Sequence, residues 1–256
     1  VEPVLAERRE QIKQYILQSS AVHVDELARL FPTVSAMTIR RDLAALEEQG
    51  YIIRTRGGAR ANSRAFGLSE ELYAQREISN VDAKAEICAK ALRLMEDSRS
   101  IFFDSGTTLM MLAKMMPDRN LTLFTTGPNI GLEVIMRTQN PQVTLLGGNL
   151  SRATLSSSGA GAREFLKTVN IDVAFMGTSG FSMSDGFTSG NPYESELKAD
   201  VCAKARRTIM LMDTTKIGMN MPYTFARLED IDVLVCERSP GAEIEYAAAQ
   251  CGTEII

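Results

Sequence analysis

The sequence has no tryptophan, one histidine and only four cysteines in 256 residues. A single imidazole cannot supply a multi-histidine metal site, and a histidine-dependent catalytic triad would have to be built around His23. That residue stands between Val22 and Val24, ahead of an acidic stretch, and is read as structural. Cys88, Cys202, Cys236 and Cys251 lie far apart, form no C-x-x-C pair and fall in apolar-looking segments, so they are read as buried free thiols in a reducing compartment. No metal and no cofactor is expected. Uninterrupted apolar runs stay short of the roughly 18 residues that suggest a membrane span. The opening VEPVLAERRE has acids where a signal peptide needs an apolar core. The expectation is a cytoplasmic protein with no membrane partner.

What is present is an ordinary globular composition, 45% hydrophobic and 23% charged, with a net charge of −4. The charge is unevenly spread. Residues 1–60 carry a net +1 and residues 61–256 a net −5. Between positions 29 and 60, Arg29, Arg40, Arg41, Arg54, Arg56 and Arg60 face only Asp42, Glu47 and Glu48. A local basic patch on an acidic chain suits a polyanion, although a solvated helix face with i,i+4 ion pairs would have the same composition.

Helical periodicity begins with Leu5, Ile12, Tyr15 and Ile16 on one face and ends at Ser19-Ser20-Ala21. Asp25 is placed to cap a short second helix through Leu27 and Leu30, which Pro32 stops. Ser35 is a good N-cap for a third helix carrying Ile39, Leu43 and Leu46 at helical spacing, with Gly50 as its terminator. Residues 51–56 then alternate as a strand does, and Gly57-Gly58 supplies a hairpin turn. Three helices followed by a basic hairpin is the plan of a winged helix-turn-helix. A helix docked in the major groove needs short or polar side chains in its first turn and arginines for phosphate or guanine. Ser35, Met37, Thr38, Arg40 and Arg41 meet that need, and Arg54, Arg56 and Arg60 on the hairpin suit the DNA backbone or minor groove.

Residues 61–80 are polar with a short amphipathic section, read as a linker and a docking helix. From Ser100 onward, apolar runs alternate with helical segments: 100–104, 121–126, 143–148, 172–177, 208–213, 232–237 and the closing TEII. Such runs read as buried, mostly parallel strands of an α/β sheet, whose ligands bind beyond the strands' carboxyl ends. At the first of those ends stands Asp104-Ser105-Gly106-Thr107-Thr108, opening a helix at Leu109. Hydroxyls, a glycine and unpaired helix N–H groups together suit a phosphate, and a Walker lysine is absent. The simpler reading is a capped helix start. Gly147, Gly148 and Gly177 follow strands where a ligand would approach, and Lys216, in a polar loop with Asp213, would bring positive charge to an anion. Glu194 and Lys198 are i,i+4 neighbours after Pro192: a surface ion pair by default, or a pocket pair in which a carboxylate accepts hydroxyl protons and an ammonium meets an anion.

These residues carry a resemblance. Thr38-Ile39-Arg40-Arg41-Asp42-Leu43, then Leu46-Glu47, Gly50 and Arg54-x-Arg56-Gly57-Gly58-Ala59, are similar to the N-terminal signature of the DeoR family of bacterial transcriptional regulators. Asp104-x-Gly106-Thr107-Thr108, Gly147-Gly148, Asp172-x-Ala174-Phe175-x-Gly177, an acid at Glu194 or Glu196 ahead of Lys198, and Asp213-x-x-Lys216-x-Gly218 resemble its C-terminal pattern. The resemblance implies an effector domain related to the ribose-5-phosphate isomerase fold, with a phosphorylated sugar as effector.

The expected organisation is therefore an α/β protein: a winged helix-turn-helix over 1–60, a linker and docking helix over 61–80, and an α/β effector domain over 81–256. The expected function is a repressor of a carbohydrate-utilisation operon that binds double-stranded operator DNA and is induced by a phosphorylated sugar. The alternatives are a sugar-phosphate isomerase-like enzyme with an accessory DNA-binding domain, and an activator of the same architecture. Winged-helix regulators usually read paired half-sites, so a homo-oligomer is expected, a dimer or, by the resemblance, a tetramer.

Overall fold

The computed structural model describes residues 8–13, 15–16, 21–32, 34–49, 51–55, 57–61, 73–95 and 98–256. The chain forms two units, Val1–Ser69 and Glu70–Ile256. In the first, helical residues 8–13 and 15–16 (α1) precede β1 (Ala21–His23), α2 (Val24–Leu30), α3 (Ala36–Glu48), β2 (Ile52–Thr55) and β3 (Gly58–Ala61). Ile12, Ile16, Leu27, Ile39, Leu43, Leu46 and Ile52 are buried together, the stripe that the helical periodicity implies. The hairpin β2–β3 is joined by a third strand that the sequence pattern does not reveal: β1 pairs antiparallel with β3, Val22 opposite Ala59. Three residues are too few to show alternation. The wing depends on Gly58, where a Cβ would stand 2.0 Å from the Val22 carbonyl oxygen.

Two local expectations change. Helix α2 starts at Val24, so Asp25 is not its cap; Asp25 and Glu26 sit in the first turn, where carboxylates favour the helix's positive end. His23 occupies the cap position without a side-chain bond and is exposed, so it is not a core residue. Ser35 does cap α3, its Oγ accepting from the Thr38 N–H at 3.2 Å. Gly50 and Arg56 lie outside the described residues. Asp42 is buried inside α3's inner face, and its two oxygens accept from Arg8 Nε at 2.7 Å and Arg9 Nε at 2.9 Å, tying α1 to α3.

The second unit begins with α4 (Tyr73–Ile78) and α5 (Val81–Leu92). It continues through β4 (Ser100–Phe103), α6 (Thr107–Met115), β5 (Thr122–Thr125), α7 (Pro128–Arg137), β6 (Gln142–Leu145), β7 (Asn149–Leu150), β8 (Ser157–Ser158), α8 (Ala160–Lys167) and β9 (Val173–Gly177). The remainder is β10 (Gly180–Ser182), β11 (Gly186–Ser189), α9 (Pro192–Lys204), β12 (Arg207–Leu211), β13 (Tyr223–Ala226), β14 (Val233–Val235), α10 (Ala242–Cys251) and β15 (Glu254–Ile255). The seven apolar runs form one seven-stranded sheet, ordered β15-β14-β12-β9-β4-β5-β6, and every pairing in it is parallel. Ile101 and Phe103 pack with α5, α6 and α7 on one face, while Phe102 packs with α8, α9 and α10 on the other. Burial on both faces is why the strands read as unbroken apolar runs. A three-stranded antiparallel sheet, β10-β11-β13, adds Phe181, Phe187 and Phe225 to the second face and left no alternating signature. Helix α6 opens at Thr107 rather than Leu109, with Gly106 as its N-cap at φ 118°. Among the described residues no helix is long and apolar enough to cross a membrane.

Three thiols are buried as expected, but Cys251, the last residue of α10, is exposed. Burial pushes Cys88, Cys202 and Cys236 up to about 12. One thiol should therefore react with Ellman's reagent in the native protein and four in guanidinium. Removing the carboxylate between Arg8 and Arg9 by Asp42→Ala should cost about 3 kcal/mol of the first unit's stability, read by chemical denaturation.

Candidate functional site

Two polar constellations stand apart from the cores, one on each unit. On the first unit, α3 turns Met37, Arg40 and Arg41 outward, with Ser35 exposed at its head and Thr38 half-buried. Neither Arg40 nor Arg41 forms an ion pair among the described residues. Arg54 differs: its backbone N–H and Nε both bond Glu47, at 2.9 and 2.6 Å, so the β2 arginine is held against α3. Of Arg60 only the backbone, in β3, is described. Solvent-facing cations beside a capped, polar first turn form a surface that accepts a phosphate backbone and base edges.

On the second unit, the carboxyl ends of β4 and β9 meet the start of α9. Asp104 is 2% exposed; its Oδ2 accepts from the Gly177 N–H at 3.0 Å and pairs with Lys198 Nζ at 2.8 Å. Lys198 also donates to the Gly177 carbonyl at 2.9 Å, lies 3.5 Å from Glu194 Oε1 and sits 5.0 Å from the centre of the Phe225 ring. The other oxygen, Glu194 Oε2, accepts from Ser156 Oγ at 3.0 Å, and Ser156 Oγ lies 2.6 Å from Thr154 Oγ1. Asn191 aims this turn, its Oδ1 accepting from the N–H groups of Tyr193 and Glu194. Glu196, the other candidate acid, points away and pairs with Arg163 at 2.8 Å. A side chain at Gly177 would stand 3.2 Å from Leu109 Cδ2, a tight contact that the leucine would have to yield to. One ammonium thus contacts two buried carboxylates, whose oxygens are acceptors of the kind that hydroxyl donors complement.

Beside this triad the chain places positive charge. Ser105 and Thr107 are buried and Thr108 half-buried at the head of α6, where no side chain caps the helix. Space in front of Gly106 is open, since a Cβ there would meet nothing within 4 Å; its φ is what demands glycine. Cys88 on α5 donates to the Thr108 carbonyl at 3.4 Å, and Lys84, one turn nearer the strand ends, donates to the Arg76 and Ser79 carbonyls. Burial first, then the neighbouring Lys216 and Arg76 cations, lower the pKa of Lys84, while Asp213 opposes that shift. Lys216 lies half-buried in a helical turn over Thr214–Lys216, not in an open loop. Arg76 on α4 has Nε and Nη2 buried without a hydrogen-bond partner among the described residues, as has Asn129 Oδ1 at the start of α7. The remaining candidates, Gly147 and Gly148, lie exposed after β6; Gly148 packs on β8, where a Cβ would come 2.4 Å from the Ser158 carbonyl.

Sequence reading missed Arg76, Lys84, Asn129, Thr154 and Ser156. Arg76 fell in the stretch read as linker, and Lys84 looks like any helix-surface lysine. Burial sets Lys84 apart, and buried nitrogens without a hydrogen-bond partner among the described residues set Arg76 apart.

A winged helix with exposed cations on its third helix, joined in one chain to an α/β unit with charged clusters at its strand ends, is the architecture of a ligand-responsive transcriptional regulator. The profile of the DeoR-like helix-turn-helix domain matches residues 8–65 and that of the DeoR C terminal sensor domain matches residues 79–238. The chain belongs to the DeoR family. The HTH-type transcriptional regulator GlpR of Haloferax volcanii is 31% identical over 252 residues, covering 98% of this chain and 97% of that protein. The HTH-type transcriptional repressor GlcR of Bacillus subtilis is 30% identical over 250 residues, 98% and 95% of the two chains. Ribose 5-phosphate isomerase A of Methanocaldococcus jannaschii is similar at a TM-score of 0.40 and 16% identity, over 54% of this chain and 55% of that one.

Replacing Lys198 by methionine should leave two buried carboxylates without a counter-charge and cost about 3–5 kcal/mol. Adding Asp104→Asn to that variant should recover part of the loss, as urea denaturation of the double-mutant cycle would show.

Proposed function

We propose that the protein is a repressor of a carbohydrate-utilisation operon that leaves its operator when a phosphorylated sugar fills the second unit's pocket. The observation that carries this reading is the presence of two charged clusters at the strand ends: Asp104 and Glu194 contact Lys198, while Arg76, Lys84 and Lys216 gather beside the uncapped head of α6. Hydroxyls of a sugar satisfy the first group and its phosphate the second. Buried N–H donors without a hydrogen-bond partner are costly, so a phosphate that accepts from Arg76 Nε and Nη2, which have none among the described residues, gains from satisfying them. GlcR of Bacillus subtilis bears the name repressor, and so does a relative from Escherichia coli O157:H7, called a putative aga operon transcriptional repressor.

The pocket also has a route to the chain segment that follows the DNA-binding unit. Ser156 bonds Glu194, and in the same loop the Ala153 carbonyl accepts from the Tyr73 N–H at 2.8 Å, at the first residue of α4. Leu155 between them is held at φ 50°, a conformation that an L side chain rarely adopts. A ligand that reorients Glu194 or draws in Arg76 therefore acts on both ends of α4's anchorage. The isomerase alternative needs a carboxylate free to take a proton from the substrate. Asp104 is instead engaged by Lys198 and the Gly177 N–H.

Fluorescence anisotropy on DNA from upstream of its own gene, at fixed salt and with a panel of sugar phosphates, tests the proposal. One sugar phosphate should weaken specific binding by about 5- to 150-fold, the range of a typical allosteric coupling. Arg41→Ala should weaken operator binding at least about tenfold with sugar binding intact. Arg76→Met should bind the operator normally and lose the response. Specific binding that ignores every sugar phosphate would refute induction, and turnover of an aldose phosphate would favour the enzyme.

A further inference from the structure

Helix α4 turns two side chains inward, and both are polar at their tips. Ala74, Gln75, Glu77 and Ile78 are exposed, Ile78 by 79%, while Tyr73 is buried and Arg76, one turn on, buries its Nε and Nη2. So short a helix is marginal on its own, and this one has no aliphatic stripe with which to dock. Its position rests on Tyr73 at two points. The backbone N–H donates to the Ala153 carbonyl, and the phenol oxygen accepts from Asn129 Nδ2 at 2.8 Å, on the first turn of α7 just past the carboxyl end of β5. Burial first, then the Glu77 carboxylate, pushes Tyr73 up to about 12 against the Asn129 bond and the Arg76 charge, so the phenol keeps its proton.

Among the described residues, every buried side-chain nitrogen or oxygen without a hydrogen-bond partner belongs to one of the two residues flanking this phenol: Arg76 Nε, Arg76 Nη2 and Asn129 Oδ1. Nε and Nη2 form one edge of the guanidinium, whose parallel N–H bonds fit two oxygens of a single anion. Asn129 Oδ1 is the opposite kind of atom. An oxyanion cannot satisfy it, because both are acceptors; a hydroxyl can. We infer that the phosphorylated ligand carries a free hydroxyl on the carbon next to its phosphate ester, and that Asn129 is the residue that reads it. The phosphate lies side-on to Arg76, the hydroxyl donates to Asn129 Oδ1, and Tyr73 holds the amide in orientation. The effector class, which rests on the phosphorylated-sugar reading, thereby narrows to molecules such as alditol phosphates and open-chain sugar phosphates. A pyranose 6-phosphate has a ring oxygen at that carbon and no proton to give. A site built to accept a hydroxyl proton rejects an analogue without one, since its own buried oxygen is then left unpaired.

Phosphorus NMR titration of the full chain with propyl phosphate, 2-hydroxypropyl phosphate and 3-hydroxypropyl phosphate tests this, because the three differ only in one hydroxyl and its place. The 2-hydroxy compound should bind at least about tenfold more tightly than the other two. Arg76→Met should weaken all three together. Asn129→Leu, or Asn129→Ala if the leucine variant does not fold, should bring the 2-hydroxy compound down to the level of propyl phosphate. Tyr73→Phe should narrow the same ratio with unchanged far-UV circular dichroism. Equal binding of the three by the wild type, a preference that survives at position 129, or unaltered binding by Arg76→Met would overturn the assignment and leave the phosphorylated effector standing. So would an Asn129→Leu loss shared equally by propyl phosphate, the result of an amide nitrogen turned toward the anion. Binding of none of the three to the wild type would overturn the assignment and the phosphate reading together.

Discussion

Much of the second unit depends on one ammonium group. Lys198 Nζ reaches from α9 to Asp104 at the end of β4, to the Gly177 carbonyl at the end of β9 and to Glu194 one turn back. It is buried, and the two carboxylates it serves are buried with it. Charges withdrawn from water are tolerated only when paired and hydrogen-bonded, so these contacts hold two central strands and a helix in one geometry. Asn191 caps α9 and so aims Glu194, and Ser156 bonds the remaining carboxylate oxygen.

How a buried charge is balanced separates structure from function in this molecule. Asp42 in the first unit has an arginine on each oxygen, and both arginines keep some contact with solvent. That cluster is satisfied within the protein and holds α1 to the recognition helix. The strand ends of the second unit carry two charged clusters instead, Asp104 and Glu194 with Lys198, and Lys84 with Lys216, Arg76 and Asp213. Helix α4 is informative as well, because two buried nitrogens of its Arg76 lack a hydrogen-bond partner among the described residues, while its Tyr73 is tied to the loop that touches Glu194.

The helices of the first unit and all seven parallel strands were legible in the chain because each is written in a local period. Ile39, Leu43 and Leu46 repeat at helical spacing, and the apolar run around Phe102 and Phe103 leaves no polar face to expose. The Asp104 to Thr108 turn was legible for the same reason, being contiguous. Elements of two to four residues without a period were not, as β1 and the β10-β11-β13 sheet show. Helix starts shifted by one or two residues at Val24 and Thr107, because capping competes with neighbouring geometry there.

The choice between Glu194 and Glu196 shows where local reading stops. Both are acids in the first turns of α9, two residues apart, and two residues on a helix point some 200° from each other. Sequence alone determined that this turn carries a carboxylate and a lysine one turn later. Only the packing of α9 on the sheet decided that Glu194 faces Lys198 while Glu196 faces Arg163 at the surface. Arg76 and Lys84 likewise carry no local mark. What distinguishes them, the burial of Lys84 and the unsatisfied buried nitrogens of Arg76 among the described residues, is decided by packing rather than by a local period.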